Sequence, residues 1–251
     1  MMRLEQLYPS IFKRKSTRLF KKQPLSKDDL DFLIKEIEEI DSLTVSTFDW
    51  MIVYYEQTKL NVNVKAPAYF KMLIKDTNMN LISTGYIMQQ LDLICSQKGI
   101  ATCWLGFNRI KKSKTHPGFY ETIRLAVGYA KNDVHRHNQE EFKRLPFNRI
   151  CNSHRFLKII EPARLSPSSL NQQPWYFQVE NDTVTIIKRP PHPLVDILHR
   201  RFFEINCGIA LLHLIVAMKY YNVEYELELN VQTKQDSTWL AKIHIHHYLV
   251  T

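Results

Sequence analysis

The sequence predicts a protein of helices and strands built from two related halves, and three observations carry this reading. Residues 81–98 and 203–221 are apolar on nearly every face, which marks helices buried at a centre rather than lying on a surface. Each is preceded by a shorter helix and a strand, so one order of elements occurs twice. The halves also align at nearly constant offset, with 125 positions between Trp50 and Trp175 and 123 between Gly85 and Gly208. So long a period describes a fused pair of domains rather than a solenoid, and the halves are drawn at 1–148 and 149–251.

The first helix opens at residues 24–29, where Ser26 can cap it and Asp29 stands in capping-box position. Leu30, Leu33, Ile34 and Ile37 follow at helical spacing and give one apolar stripe. Residues 50–55, Trp-Met-Ile-Val-Tyr-Tyr, read as a buried strand. The first buried helix ends at Gly99, a natural C-cap, and a strand at 122–129 follows. Residues 131–149 are polar and charged and read as a connector. In the second half a helix at 154–164 leads through 166–171 to a hairpin. Its arms are Trp175–Glu180 and Thr183–Lys188, with Asn181-Asp182 at the tip. The second buried helix and a strand at 239–250 close the chain.

Composition narrows the function. The 251 residues carry 34 Lys and Arg against 25 Asp and Glu, a formal charge of +9 that points to an anionic partner, either nucleic acid or a phosphorylated small molecule. The basic residues are dispersed and match no nucleic-acid-binding pattern, which disfavours the first. Four cysteines show neither C-x-x-C spacing nor the density of a disulfide scaffold. Residues 1–6 lack the apolar run of a secretory leader. Residues 207–218 are too short for a bilayer's ~20 residues and contain His213. The expectation is a soluble, cytoplasmic protein with no membrane partner.

Three segments can carry chemistry. In Arg14-Lys15-Ser16-Thr17-Arg18, alternate positions of an extended segment bring Arg14, Ser16 and Arg18 to one side, two guanidinium forks and a hydroxyl suited to a phosphate dianion. The plain alternative is a solvated basic run. The loop Ser166-Pro167-Ser168-Ser169-Leu170-Asn171-Gln172-Gln173-Pro174 offers hydroxyls and amides that could address the edge of a flat heterocycle, or could simply join helix to strand. In Thr102-Cys103-Trp104-Leu105-Gly106, Gly106 permits close backbone approach and Trp104 supplies a packing face, although a core strand after a helix cap explains the same residues. His244 and His246 share one strand face without an evident third metal ligand, so no metal is assigned. Ser168 and Ser169 lack a nucleophile elbow, Cys103 reads as a small core residue, and His192 between prolines reads as a surface turn.

Together the three segments resemble the nitroreductase family of FMN-dependent oxidoreductases. Its chains begin R-R-S-x-R-x-F and carry P-S-x-x-N-x-Q-P-W-x-F and G-x-G-T-C-W-x-G segments. The matches here are Arg14, Ser16, Arg18 and Phe20; Pro167, Ser168, Asn171, Gln173, Pro174, Trp175 and Phe177; and Gly99, Thr102, Cys103, Trp104 and Gly106. The P-S-x-x-N segment follows the C-W-L-G segment, an order similar to the tandem "TM nitroreductase" branch, in which one chain folds as a pseudo-dimer. Lys15 and Ala101 depart from the usual Arg and Gly, and the family's basic residue near the chain end is matched by Arg144 in Lys143-Arg144-Leu145-Pro146.

The resemblance implies an α+β nitroreductase fold, duplicated within the chain, with mixed sheets flanked by helices. It implies an FMN-dependent enzyme that passes reducing equivalents from NADH or NADPH to a nitroaromatic, quinone or similar conjugated acceptor. A flavin carrier or sensor without turnover is the alternative, and a basic nucleic-acid-binding protein a more distant one. Arg14, Lys15, Ser16, Arg18 and Arg144 would hold the FMN phosphate. Pro167, Ser168, Ser169 and Asn171 would face the isoalloxazine edge, with Trp104, Leu105 and Gly106 near the ring. No catalytic side chain is assigned, since protons can come from water. The first half has Ser42-Leu43-Thr44-Val45-Ser46 where the second has Pro167–Asn171, and Tyr225-Glu226-Leu227-Glu228 falls at the place of Trp104, so a single FMN per chain is expected in a pseudo-dimeric monomer.

Overall fold

The computed structural model describes residues 2–43, 48–55, 64–75, 79–106, 117–189, 202–230 and 239–248. A short 3-10 turn, Leu4–Leu7, leads into α1 (Tyr8–Lys13). Helix α2 (Lys27–Glu38) opens as its sequence dictates, with the Asp29 amide donating to Ser26 Oγ at 3.1 Å. The Asp29 carboxylate, however, does not close the capping box. It accepts the Tyr129 hydroxyl at 2.5 Å instead, tying α2 to the end of the first sheet.

Strands β1 (Phe48–Tyr54) and β2 (Ala68–Ile74) form a hairpin pair. They are followed by the long helix α3 (Met79–Gln97), then β3 (Ala101–Leu105) and β4 (Tyr120–Gly128). The second half runs α4 (Leu157–Arg164), β5 (Trp175–Glu180), β6 (Thr183–Lys188), α5 (Phe203–Tyr220), β7 (Glu224–Leu229) and β8 (Trp239–His247). The two four-stranded sheets have the same order, β1-β2-β4-β3 and β5-β6-β8-β7. Both carry a register shift between their second and fourth strands, at Met72/Leu73 and at Ile186/Ile187. This is the duplicated α+β arrangement, repeated down to an irregularity.

Three readings need correction. All strand pairings are antiparallel, so the sheets are not mixed, and among the described residues parallel pairing is limited to the isolated bridges Ser16–Thr102 and Cys151–Phe177. Strand β1 is a half-buried edge, while β2, which the sequence reading passed over, is buried at every residue. Its Lys71 breaks the apolar run but is itself only 3% exposed, paired with Glu121 at 3.5 Å. Strand β7 was also missed, because Glu224, Glu226 and Glu228 alternate with Tyr225, Leu227 and Leu229 and read as polar chain.

Helices α3 and α5 cross at the centre. A Cβ built on Gly85 would overlap the carbonyl oxygen of Ile205, and one built on Gly208 would overlap that of Ile82. Both glycines, and both isoleucines, stand 123 positions apart, so the crossing is a pseudo-twofold axis with backbone against backbone. Helix α5 is long and apolar enough to cross a membrane by length and composition alone, but 78% of that stretch is buried inside the fold, as a core helix requires.

Candidate functional site

A cavity of about 800 Å³ opens between the halves. All twelve residues singled out from sequence line it: Arg14, Lys15, Ser16 and Arg18 with Arg144 on the basic side, Trp104, Leu105 and Gly106 from β3 and its end, and Pro167, Ser168, Ser169 and Asn171 from the loop before β5. The basic segment reaches the cavity by running along the edge of β3. Ser16 bridges Thr102, the Thr17 amide donates to the Thr102 carbonyl at 2.8 Å, and Phe20 bridges Ala130.

The basic side is a set of guanidinium groups in differing states. Arg14 is 1% exposed. Its Nη2 donates to Ser16 Oγ at 2.9 Å, and its Nε lies 3.0 Å from Asp92 Oδ2 without the alignment of a hydrogen bond. Arg136 donates to the Arg14 carbonyl and lies 4.1 Å from the centre of the Phe142 ring. Arg144 donates to the carbonyls of Phe142 at 2.7 Å and Leu165 at 3.1 Å and to Asn171 Oδ1 at 2.5 Å, while its Nε is buried with no partner. Burial and the neighbouring Arg14, Arg136 and Arg164 hold the Arg144 pKa down, to about 9. Arg136 is lowered to about 10 by burial and by Arg14. Burial is the larger cause in both, repulsion between neighbouring cations adds to it, and Glu141 on the same lining offsets part of it at Arg136, so the basic side still favours an anion. Arg18 is exposed and Lys15 half-buried at the rim.

A second wall, joined to Arg144 through Asn171, is a loop under backbone strain. Leu170, Asn171 and Gln173 have φ of 49°, 57° and 51°, left-handed values that non-glycine residues adopt at a cost. Its side chains hold that shape. The Gln173 amide donates to Ser168 Oγ at 2.9 Å, Gln173 Oε1 accepts from the Leu145 amide at 2.8 Å, and Asn171 Nδ2 donates to the Lys143 carbonyl at 2.9 Å. The Ser169 amide donates to Asn206 Oδ1 on α5 at 3.1 Å. Asn171 and Ser168 are therefore engaged in holding the wall, and they offer a ligand only their remaining valences and the adjoining backbone. Gly106 also differs from expectation: the space beside it is taken by the Phe202 ring, 2.9 Å from where a Cβ would stand.

The family described as "Putative TM nitroreductase" matches residues 6–218. The chain belongs to this nitroreductase family. A "putative nitroreductase" from Thermotoga maritima shares the fold over 97% of this chain and 94% of its own, with a TM-score of 0.66 at 18% identity. A nitroreductase family protein from Clostridium difficile 630 matches 59% of this chain and 96% of its own, with a TM-score of 0.49 at 15% identity. An FMN-dependent nitroreductase from Clostridium difficile R20291 matches 54% and 95%, with a TM-score of 0.44 at 15% identity. No curated protein sequence matches the chain.

Several residues that shape the cavity of this nitroreductase-family chain were not singled out from sequence. Asp92 on α3 is fully buried and accepts from Thr102 Oγ1 and, at 3.1 Å, from Trp104 Nε1. Its one signal was an acidic residue between Leu91 and Leu93 on an apolar helix. Arg136 lies in the stretch read as a connector, which in fact folds back along the first half: His135 bridges Arg14, and the Arg136 amide donates to the Lys13 carbonyl at 2.8 Å. Phe202 and Asn206 also line the cavity, and only a tertiary contact reveals them. Cys103 is 4% exposed at the cavity wall, and burial raises its thiol pKa. His244 and His246 sit elsewhere, on β8, within 3.8 Å of Glu228 and Glu226 respectively. His192 and residues 44–46 lie outside the described residues.

Proposed function

We propose that this oxidoreductase is a reductase that holds FMN in the cavity and uses NADH or NADPH to reduce a nitroaromatic, quinone or similar conjugated acceptor. The observation that carries the reading is the orphaned Arg144 Nε within a cluster of mutually repelling guanidinium groups at one end of a single cavity. A phosphate dianion supplies several acceptor oxygens and more negative charge than Asp92 and Glu141, the carboxylates at that end, provide. The remaining volume, walled by Trp104, Pro167 and the strained loop, suits a flat heterocycle, and about 800 Å³ is within the range of cofactor and ligand pockets. The residues therefore fit the group.

In this reading Ser16, Arg18 and Arg144 hold the phosphate directly. Arg14, already paired with Asp92, contributes charge and orients Ser16. Pro167–Asn171 and the end of β3 fix the ring from two sides, so the halves of the chain build one site between them. Bound FMN supplies the two-electron chemistry, and the protein supplies position and field. The exposed Leu170, 71% accessible at the cavity wall, keeps an apolar surface where an aromatic acceptor can enter.

The test is direct. Purified protein should show a flavin absorption spectrum, or take up added FMN with quenched fluorescence, and should oxidise NADH or NADPH when an acceptor is present. Colourless protein that binds no FMN overturns the reading, and FMN binding without NAD(P)H oxidation reduces it to a carrier.

A further inference from the structure

Asp92 enters the function described above only as the partner of Arg14, yet its placement is unusual. It is a carboxylate with no exposed surface and the one charged residue of helix α3, and a buried charge persists only when it is compensated. Three groups from two segments compensate it: Thr102 Oγ1, Trp104 Nε1 at 3.1 Å and Arg14 Nε at 3.0 Å. Arg14 stands at the basic end of the cavity and Trp104 on the wall beside it. From Arg14 the network continues, through its Nη2 to Ser16 Oγ at 2.9 Å and through its carbonyl to Arg136.

We infer that Asp92 is a positioning residue for anion recognition, holding Arg14 and Trp104 in register so that Ser16 and the guanidinium groups meet a phosphate in one geometry. The inference rests on the FMN reading for its ligand, and on the contacts alone for its physics. Arg14 without its carboxylate is a buried cation facing Arg136 and Arg144, and repulsion drives it from its place. Trp104 at the same moment loses its hydrogen-bond acceptor. The opposite expectation follows from charge alone: a carboxylate next to an anion site weakens binding, so removing it should tighten the site. The two accounts differ in sign.

The experiment measures FMN and riboflavin affinity by fluorescence quenching in the parent, Asp92→Asn, Arg14→Ala and the double variant. Asp92→Asn should lose about tenfold in FMN affinity, the scale of one charge-assisted contact. Riboflavin, which lacks the phosphate, should change less, so the FMN-to-riboflavin ratio falls. That ratio would not move if Asp92 only stabilised the fold. Combined with Arg14→Ala the loss should be no greater than for Arg14→Ala alone, because both act through one network. Unchanged or tightened FMN binding in folded Asp92→Asn overturns the inference, as do additive losses. Should Asp92→Asn not fold, Thr102→Val removes one anchor of the carboxylate at similar volume, and the ratio should fall in the same direction by a smaller factor. An unchanged ratio overturns it. Inorganic phosphate separates this inference from the FMN reading. It should raise the melting temperature of the parent more than that of Asp92→Asn or Arg14→Ala at the same concentration, whether or not flavin binds, and equal stabilisation in all three overturns the role of Asp92.

Discussion

Arg144 and Arg18 both line the cavity, and their surroundings assign them unequal weight. Arg144 has a buried Nε without a partner and a pKa lowered to about 9, whereas Arg18 is exposed to water that screens its charge. Arg144→Ala should weaken FMN by ~1.5–3 kcal/mol, the range for a hydrogen bond to a charged group. Riboflavin affinity should fall less, by no more than the loss of the Arg144 contacts to Asn171 and Leu165 loosens the loop, and Arg144→Lys should recover only part because it lacks the planar fork. Arg18→Ala should cost about 1 kcal/mol or less, with a loss that shrinks as salt is added. Equilibrium titration of both flavins at two salt concentrations checks the pair, and equal losses for the two arginines would contradict the geometry. At this scale the sequence was legible where chemistry is written as a local motif. Arg14, Ser16, Trp104 and Ser168 could be named because their neighbours in the chain announce them. Asp92 and Arg136 could not, since a charge on an apolar helix or in a polar stretch acquires meaning only from the partners that folding brings.

The buried helices and the hairpin at Asn181 were readable because apolar spacing and turn chemistry are properties of contiguous residues. Strand β2 was not, because its Lys71 finds Glu121 from β4. Nor was the fixing of α5 against α3 and α4 by His213. Its Nδ1 lies 2.9 Å from the Pro162 carbonyl and its Nε2 3.1 Å from Gln89 Nε2, which together require a neutral ring donating through Nδ1. Burial lowers the His213 pKa from 6.5 to about 3, more than the Pro162 contact raises it. Between those values the unfolded chain binds a proton that the folded one refuses. The stability this neutral ring contributes is therefore complete above about pH 6.5 and declines as pH falls towards 3, by about 1.4 kcal/mol per pH unit. The equivalent residue in the first half, 123 positions earlier, is Gln90, whose Nε2 donates to the Asp41 carbonyl at 2.7 Å. His213→Gln should keep the contact and remove this slope, as urea denaturation at several pH values would reveal; an unchanged slope would mean that other groups set it. Gly208→Ala tests the helix crossing. Helix propensity alone favours alanine by ~1 kcal/mol, but overlap with the Ile82 carbonyl should outweigh it and lower the melting temperature.

Across the whole molecule, the duplication makes two sites conceivable, but the side chains at paired positions differ. Ile209 lines the cavity, while Tyr86, its equivalent 123 positions earlier, is larger and 2% exposed. Trp104 and Gly106 have Leu227 and Leu229 at the matching places on β7. We expect FMN to saturate at one equivalent per chain, with the complex at the mass of a single chain by light scattering. Two equivalent flavins, or binding that needs a second chain, would refute this. The repeated order of elements was legible from spacing, whereas the number of working sites depends on which side chains survive at paired positions. The glycine crossing has one more consequence. Helices α3 and α5 rest on each other with no side chain between them at 85 and 208, and Ile209, next along from Gly208, already belongs to the cavity. The gap between the walls is thus gauged from a contact of zero thickness. A methyl group at either glycine should act as a shim that parts the two halves, so in the function proposed above the size of acceptor admitted would be set in part by two hydrogen atoms that no acceptor touches.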